Sequence, residues 1–180
     1  MDRSKVILVN EQDQPLGNAD KMEAHLSGQL HRAISIFIFN NRGEMLLQQR
    51  ALEKYHSGGL WTNACCSHPL EEMSLLDFGR LRLREELGFE TKLEKIFDFI
   101  YRAEMGNGLI EHELDHVLLG VYDGMVPFDS KEVMDYRFSD LESIEASLIS
   151  NPEKYTAWFL LAFPKVKAWF EKNATGSSIS

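Results

Sequence analysis

Cysteine is scarce in this chain. There are two in 180 residues, and they are neighbours, Cys65 and Cys66. Adjacent cysteines rarely bridge each other, because disulfide geometry strains the peptide between them. No framework of stapled loops follows from one such pair. The thiols are either small buried groups or include one reactive sulfur. Long apolar runs are missing as well. None reaches the roughly 18 residues of a membrane span. The opening stretch, MDRSKVILVNEQDQ, turns polar too soon for a secretory leader. The expectation is a cytoplasmic chain with no membrane partner. Positive charge is the third shortage: 19 Lys and Arg face 28 Asp and Glu, for a net charge of −9. That argues against a nucleic-acid partner, which requires clustered Lys and Arg. A small phosphorylated partner stays open, because a few local cations and a divalent metal can outweigh an acidic surface.

What is present suits one globular domain. Hydrophobic residues make up 44% of the chain, enough for a sizeable core at this length. The domain is expected to span residues 1–172, with NATGSSIS, 173–180, as a disordered tail. KVILVN (5–10) reads as a short strand, and 11–31 mainly as loop or short helix. RAISIFIFN (32–40) is rich in β-branched and aromatic residues and reads as a strand. Asn41, Arg42 and Gly43 then turn it into EMLLQQR (44–50) as a hairpin. WTNACCSHP (61–69) reads as extended. SLLDFGRLRLREEL (74–87) carries helical spacing, with Gly88 as its stop. Strands are expected near 94–102, 111–122 and 133–140. Asp140 is placed to cap the helix LESIEASLIS. A last helical region runs from Pro152 to Lys172, kinked or divided at Pro164. Many strands with few helices predict an α/β (α+β mixed-sheet) fold.

The chemistry-bearing residues fall into four groups. In IEHELDHV, strand alternation puts Glu111, Glu113 and Asp115 on one face, and His112, Leu114 and His116 on the other. Neighbouring carboxylates repel unless water or a cation lies between them. The segment is thus either a solvated edge or half of a hard-metal site. In CCSH, Cys66 and His68 share a face, so thiol and imidazole can pair for proton transfer or bind a metal. His25 and His31 gain meaning only if they converge on His68 and the two glutamates. Such a set would suit Zn²⁺, Mn²⁺ or Mg²⁺. Of the scattered cations, Arg50 and Lys54 follow the hairpin and could grip phosphate oxygens. Glu85 and Glu86 sit near the end of a helix, where negative charge is disfavoured, which tilts one of them towards a cation.

Taken in order, LHRAISIFIFN, LLQQRA, WTNACCSHPL, RLREELG, the tyrosine of DFIYRAE, EHELDHV and EVMDYRF closely resemble type I isopentenyl-diphosphate isomerases of the Nudix superfamily. The likeness covers about residues 5–170. It implies a Nudix-like α/β/α sandwich that interconverts isopentenyl and dimethylallyl diphosphates. It implies metal ligands at His25, His31, His68, Glu111 and Glu113. Cys66 and Glu113 would be the catalytic pair, with Tyr101 assisting. Trp158 would lie in the active site, and Lys21, Arg50, Lys54 and Arg82 would hold the diphosphate. Glu86 would serve a Mg²⁺ carried by the substrate. The implied partner is a small diphosphate, and the implied assembly a monomer or weak homodimer.

The alternative is a Nudix pyrophosphohydrolase acting on a nucleoside diphosphate derivative. Its motif, G-x5-E-x7-R-E-U-x-E-E-x-G-U, aligns on Glu85, Glu86, Gly88 and Phe89. Ser67 then stands for its first Gly, Met73 for its first Glu, Leu81 for the Arg and Arg82 for the following Glu. A hydrolase needs those carboxylates for its metals and attacking water. Their partial loss favours the isomerase.

Overall fold

The computed structural model describes residues 3–54 and 56–174. Its elements run β1 (Lys5–Val9), β2 (Pro15–Asp20), α1 (Lys21–Ser27), β3 (His31–Phe39), β4 (Met45–Arg50), β5 (Trp61–Thr62), β6 (Cys65–Ser67), α2 (Leu75–Leu87), β7 (Leu93–Gly106), β8 (Leu109–Val121), β9 (Val133–Ser139), α3 (Leu141–Ser150), a 3₁₀ turn (Pro152–Lys154) and α4 (Ala157–Ala174). Among the described residues no helix is long and apolar enough to cross a membrane.

The sheet is mixed and built around β3. Six of the nine β3 residues from His31 to Phe39 are apolar or aromatic, the others being His31 and Arg32 at its start and Ser35 within it, and nearly all are buried. One edge of β3 runs parallel to β8 over its whole length, from His31↔Glu113 to Phe39↔Val121. Its other edge is shared. β1 meets it at His31, β6 at Ile34–Ile36 and β4 only at Phe39. The expected β3–β4 hairpin is therefore a turn and little more, because β4 leaves to pair with β9 along Met45–Arg50. This divided edge opens the sheet beside the N-terminal half of β3.

Both faces are covered, giving the α/β/α sandwich. On one face, Phe37, Phe39, Val117 and Leu119 pack against Leu141 and Ile144 of α3 and Phe159, Phe163 and Val166 of α4. On the other, Ile34, Ile36, Ile38 and Leu118 pack against Phe78, Leu83 and Leu87 of α2. Ser74 caps α2 by accepting from the Asp77 amide, and Gly88 ends it in the left-handed conformation at φ 73°. Gly79 lets α2 lie close on the sheet, since a Cβ there would stand 2.9 Å from Leu93 and 3.0 Å from Leu118.

Several expectations are corrected. Residues 15–20, read as loop or short helix, form an edge strand with no apolar alternation; backbone pairing from Lys5↔Asp20 to Leu8↔Gly17 makes it, and Pro15 is tolerated as its first residue. Strands β7 and β8 run longer than read and join in a two-residue turn. Asn107 and Gly108 both have positive φ there, as an Asn-Gly hairpin turn requires. Pro164 does not divide α4. It lies on the exposed face, where water can meet the carbonyl its ring leaves free. Asp140 caps α3 as read. Helix α4 continues through Asn173 and Ala174, and residues 175–180 of the expected tail lie outside the described residues.

Candidate active site

Helix α1 starts the site. Asp20 accepts from the Met22 and Glu23 amides at 2.9 and 3.2 Å, fixing where the helix begins. Lys21 and His25, four residues apart, then share one face. The His25 Nδ1 donates to the Lys21 carbonyl at 2.5 Å, and the His31 Nδ1 donates to the Gln29 carbonyl at 2.8 Å. A carbonyl only accepts, so both rings carry a proton on Nδ1 and turn Nε2 inward.

Those nitrogens meet His68 from β6 and the two glutamates of β8. Nε2 of His25 is 3.0 Å from Glu111 Oε2, and Nε2 of His68 is 2.9 Å from Glu113 Oε1. Nε2 of His31 lies 3.6 Å from Glu113 Oε1 and has no hydrogen-bond partner although the ring is fully buried. One donor atom from each of the five residues falls within 4.8 Å of the others. Three imidazoles, two buried carboxylates and an orphaned nitrogen fit a divalent metal. The solvated-edge reading of β8 fails, because β8 runs between β3 and β7 and Glu111 and Glu113 are buried.

Beside this cluster lies a cavity of about 230 Å³. Cys66 and Glu113 both line it, with Tyr101, Trp158 and His68. The Tyr101 hydroxyl donates to Glu113 Oε2 at 2.6 Å. Lys21, Arg50, Lys54 and Arg82 also line the cavity, with Glu86. The Arg50 guanidinium lies 5.3 Å from the centre of the Trp158 ring. Arg82 forks onto Glu85 and Glu86, and Glu86 takes a further bond from Gln48 at 3.3 Å. The helix-end carboxylates thus have their counter-cation within one turn. Lys54 pairs with Glu132.

The NUDIX domain model matches residues 29–159. An isopentenyl-diphosphate Delta-isomerase of Pectobacterium atrosepticum is 46% identical over 171 residues, covering 95% of this chain and 96% of that protein. The chain belongs to the isopentenyl-diphosphate Delta-isomerase family. A family member from Burkholderia multivorans is 47% identical over 155 residues, 86% of this chain and 88% of that one. Among solved structures, DR0079 from Deinococcus radiodurans superposes with a TM-score of 0.72 at 15% identity, covering 89% of this chain and 98% of that chain. A MutT protein from Methanosarcina mazei Go1 does so with a TM-score of 0.63 at 19% identity, covering 80% of this chain and 95% of its own. At those identities the likeness is one of fold.

In this isopentenyl-diphosphate Delta-isomerase family chain, burial and charge set the acid–base state of the cavity. Burial would raise the Glu113 carboxyl, but the imidazoles of His31 and His68 beside it outweigh burial and hold it well below the usual range. Glu111 is raised, by burial and then by the charge of Glu113. Burial pushes His68 down to about 4 against the pull of Glu113. Burial would also lower His25, yet its bond to Glu111 leaves it raised. The Cys66 thiol is pushed up by burial and by the charge of Asp115, and the Tyr101 phenol by burial and the charges of Glu113 and Glu111. Thiol and phenol therefore rest protonated, facing a charged Glu113. Burial lowers Lys21, despite both glutamates.

Every residue that the resemblance pointed to lies in the cavity or in the metal-fit cluster at its side. Sequence reasoning missed His56, Glu132, Asn63 and Ser35, and gave Asp115 no role. His56 stands 3.5 Å from Glu111 Oε1 and edge-on to Trp158 at 5.8 Å between ring centres. Burial, then the charges of Arg50 and Lys21, push it down to about 3. Asp115 is fully buried on the face of Glu111 and Glu113, and neither of its oxygens has a hydrogen-bond partner among the described residues. Strand alternation had already put it on that face. Nothing local marks His56, which arrives on the loop after β4.

Proposed function

We propose that this chain interconverts isopentenyl diphosphate and dimethylallyl diphosphate by adding one proton and removing another, in isoprenoid synthesis. The observation that carries this is the shared cavity of Cys66 and Glu113. Strand β3 lies between β6, which bears the thiol, and β8, which bears the carboxylate, so the two reach the cavity from either side of one strand.

The substrate alkene is only weakly basic. Protonation at C4 gives a tertiary carbocation at C3, and loss of a proton from C2 completes the shift. Such a site needs one proton carrier on each side of a five-carbon group. Cys66 and Glu113 fill those places, and because the reaction is reversible each carries a proton in both directions. Tyr101 holds the second oxygen of Glu113. The π-face of Trp158 stabilises positive charge by about 1–2 kcal/mol. Lys21, Arg50, Lys54 and Arg82 bind the diphosphate, remote from the reacting carbons. A Mg²⁺ carried by the diphosphate finds a carboxylate in Glu86.

His25, His31, His68, Glu111 and Glu113 would hold one divalent ion, Zn²⁺, Mn²⁺ or Mg²⁺, which would orient Glu113 and set its acidity. Arg82 argues against pyrophosphohydrolysis, since it stands where the hydrolase motif carries a further glutamate for its metals. Proton NMR of isopentenyl diphosphate incubated with the protein and Mg²⁺ tests the reading. The methyl signals of dimethylallyl diphosphate are expected without phosphate release; phosphate release without isomerisation would replace it with the hydrolase.

A further inference from the structure

The catalytic role given to Cys66 demands a sulfur held in one place, yet β6 is three residues long and the thiol lines an open cavity. The side chain of Asn63 supplies the restraint. It is fully buried, and its amide has one workable orientation. Nδ2 donates to the Ile36 carbonyl at 3.1 Å and to the Cys65 carbonyl at 3.0 Å. Both amide protons are thus engaged by groups that only accept, and flipping the amide would turn an oxygen onto two oxygens. Oδ1 is thereby an obligatory acceptor. It receives Thr62 Oγ1 at 2.9 Å and Cys66 Sγ at 3.2 Å. Ser35 Oγ stands 3.3 Å from the same sulfur, on the strand paired with β6.

The chain of bonds continues away from the cavity. Thr156 Oγ1 donates to Thr62 Oγ1 at 2.9 Å, and both threonines are buried. The Thr156 carbonyl accepts from the Leu160 amide at the start of α4, the helix that carries Trp158. One run of buried hydrogen bonds therefore links the wall that bears the thiol to the wall that bears the indole.

Resting on the reading of Cys66 as a proton carrier, we propose that Asn63 is a positioning residue, which with Ser35 fixes the Cys66 sulfur and, through Thr62 and Thr156, ties it to the Trp158 wall. Asn63 does not line the cavity and acts only through the Cys66 sulfur. Its effect falls on the chemical step and not on diphosphate binding, which uses cations elsewhere in the cavity.

The test compares steady-state kinetics and thermal melting of Asn63→Ala, Ser35→Ala, the double variant and Cys66→Ala, with isopentenyl diphosphate. Asn63→Ala is expected to lower kcat by about 10–100-fold, the range for losing one well-placed bond, with KM within about twofold of wild type. Because both contacts act through one sulfur, the effects of Asn63→Ala and Ser35→Ala should be non-additive. A loss of stability with unchanged kcat, or an additive pair, would make Asn63 a structural residue only and overturn the proposal. If Asn63→Ala fails to fold, Ser35→Ala reads the same sulfur: a reduced kcat at unchanged KM supports the positioning role, and wild-type kinetics reject it. Activity surviving in Cys66→Ala would instead overturn the catalytic reading on which the proposal rests.

Discussion

Tyr101 donates its phenolic proton to Oε2 of Glu113 at 2.6 Å. The other oxygen, Oε1, faces His68 and His31 at 2.9 and 3.6 Å. One carboxylate is thus divided between the metal-fit cluster and a neutral hydroxyl. The register Tyr101↔Glu113 across β7 and β8 builds this contact into the sheet.

Removing that hydroxyl leaves Oε2 without its buried donor. Tyr101→Phe is expected to lower kcat by about 10–150-fold, the range for a hydrogen bond to a charged group, with KM little changed. Wild-type kcat in this variant would show that the phenol is a spectator.

The five-residue cluster makes metal removal a test with two readouts. Chelation is expected to abolish turnover, with recovery when a divalent ion is returned. The stripped protein should also melt at a lower temperature, because a ligand that binds only the folded state stabilises it. Extensively stripped protein that keeps full activity and an unchanged melting temperature would contradict the assignment of the cluster to a metal.

Trp158 is almost fully buried and packs among Phe159, Phe163 and Tyr101 in the core under α4. Its aromatic face, and not only its volume, should matter. Trp158→Phe is expected to retain more activity than Trp158→Leu, whose kcat should fall by about 5–30-fold from a lost cation–π stabilisation of ~1–2 kcal/mol. Equal rates in the two variants would leave Trp158 a core residue alone.

On the opposite face of β8, His116 is buried with Asp13 Oδ2 3.2 Å from Nε2, and Arg32 and Lys95 nearby. Burial first, then the positive charges of Lys95 and Arg32, lower its pKa against the pull of Asp13 and Asp98. The folded chain therefore takes up this proton less readily than the unfolded one. Its contribution to stability is whole above the ordinary histidine value of about 6.5 and is lost as pH falls below it. Melting temperatures from pH 8 to pH 5 should drop less steeply for His116→Gln than for wild type. Parallel curves would remove His116 from the acid response.

Much of this was legible in the chain. Period-two alternation put Glu111, Glu113 and Asp115 on one face, and the stop signal at Gly88 and the cap signal at Asp140 marked two helices. What stayed hidden depends on contacts far apart in sequence. Strand β2 has no apolar pattern, because its pairing with β1 is made by the backbone at an exposed edge. The expected β3–β4 hairpin is shortened to its turn and the pair Phe39↔Met45, while β4 pairs along its length with β9, some ninety residues on. His56 and Asn63 are unremarkable locally; the first gains meaning from Glu111 and Trp158, the second from carbonyls of Ile36 and Cys65. The convergence of His25, His31 and His68 likewise needs the fold, since β6 pairs with β3 and α1 packs against β8.

The central claim, that Cys66 and Glu113 carry the two protons, is tested most directly by incubating isopentenyl diphosphate in deuterated water with wild type, Cys66→Ala and Glu113→Gln, following deuterium at C2 and C4 by NMR. Wild type should convert the substrate and incorporate solvent deuterium, while each variant folds as wild type does and fails to isomerise. Near-wild-type conversion by either variant would contradict the account.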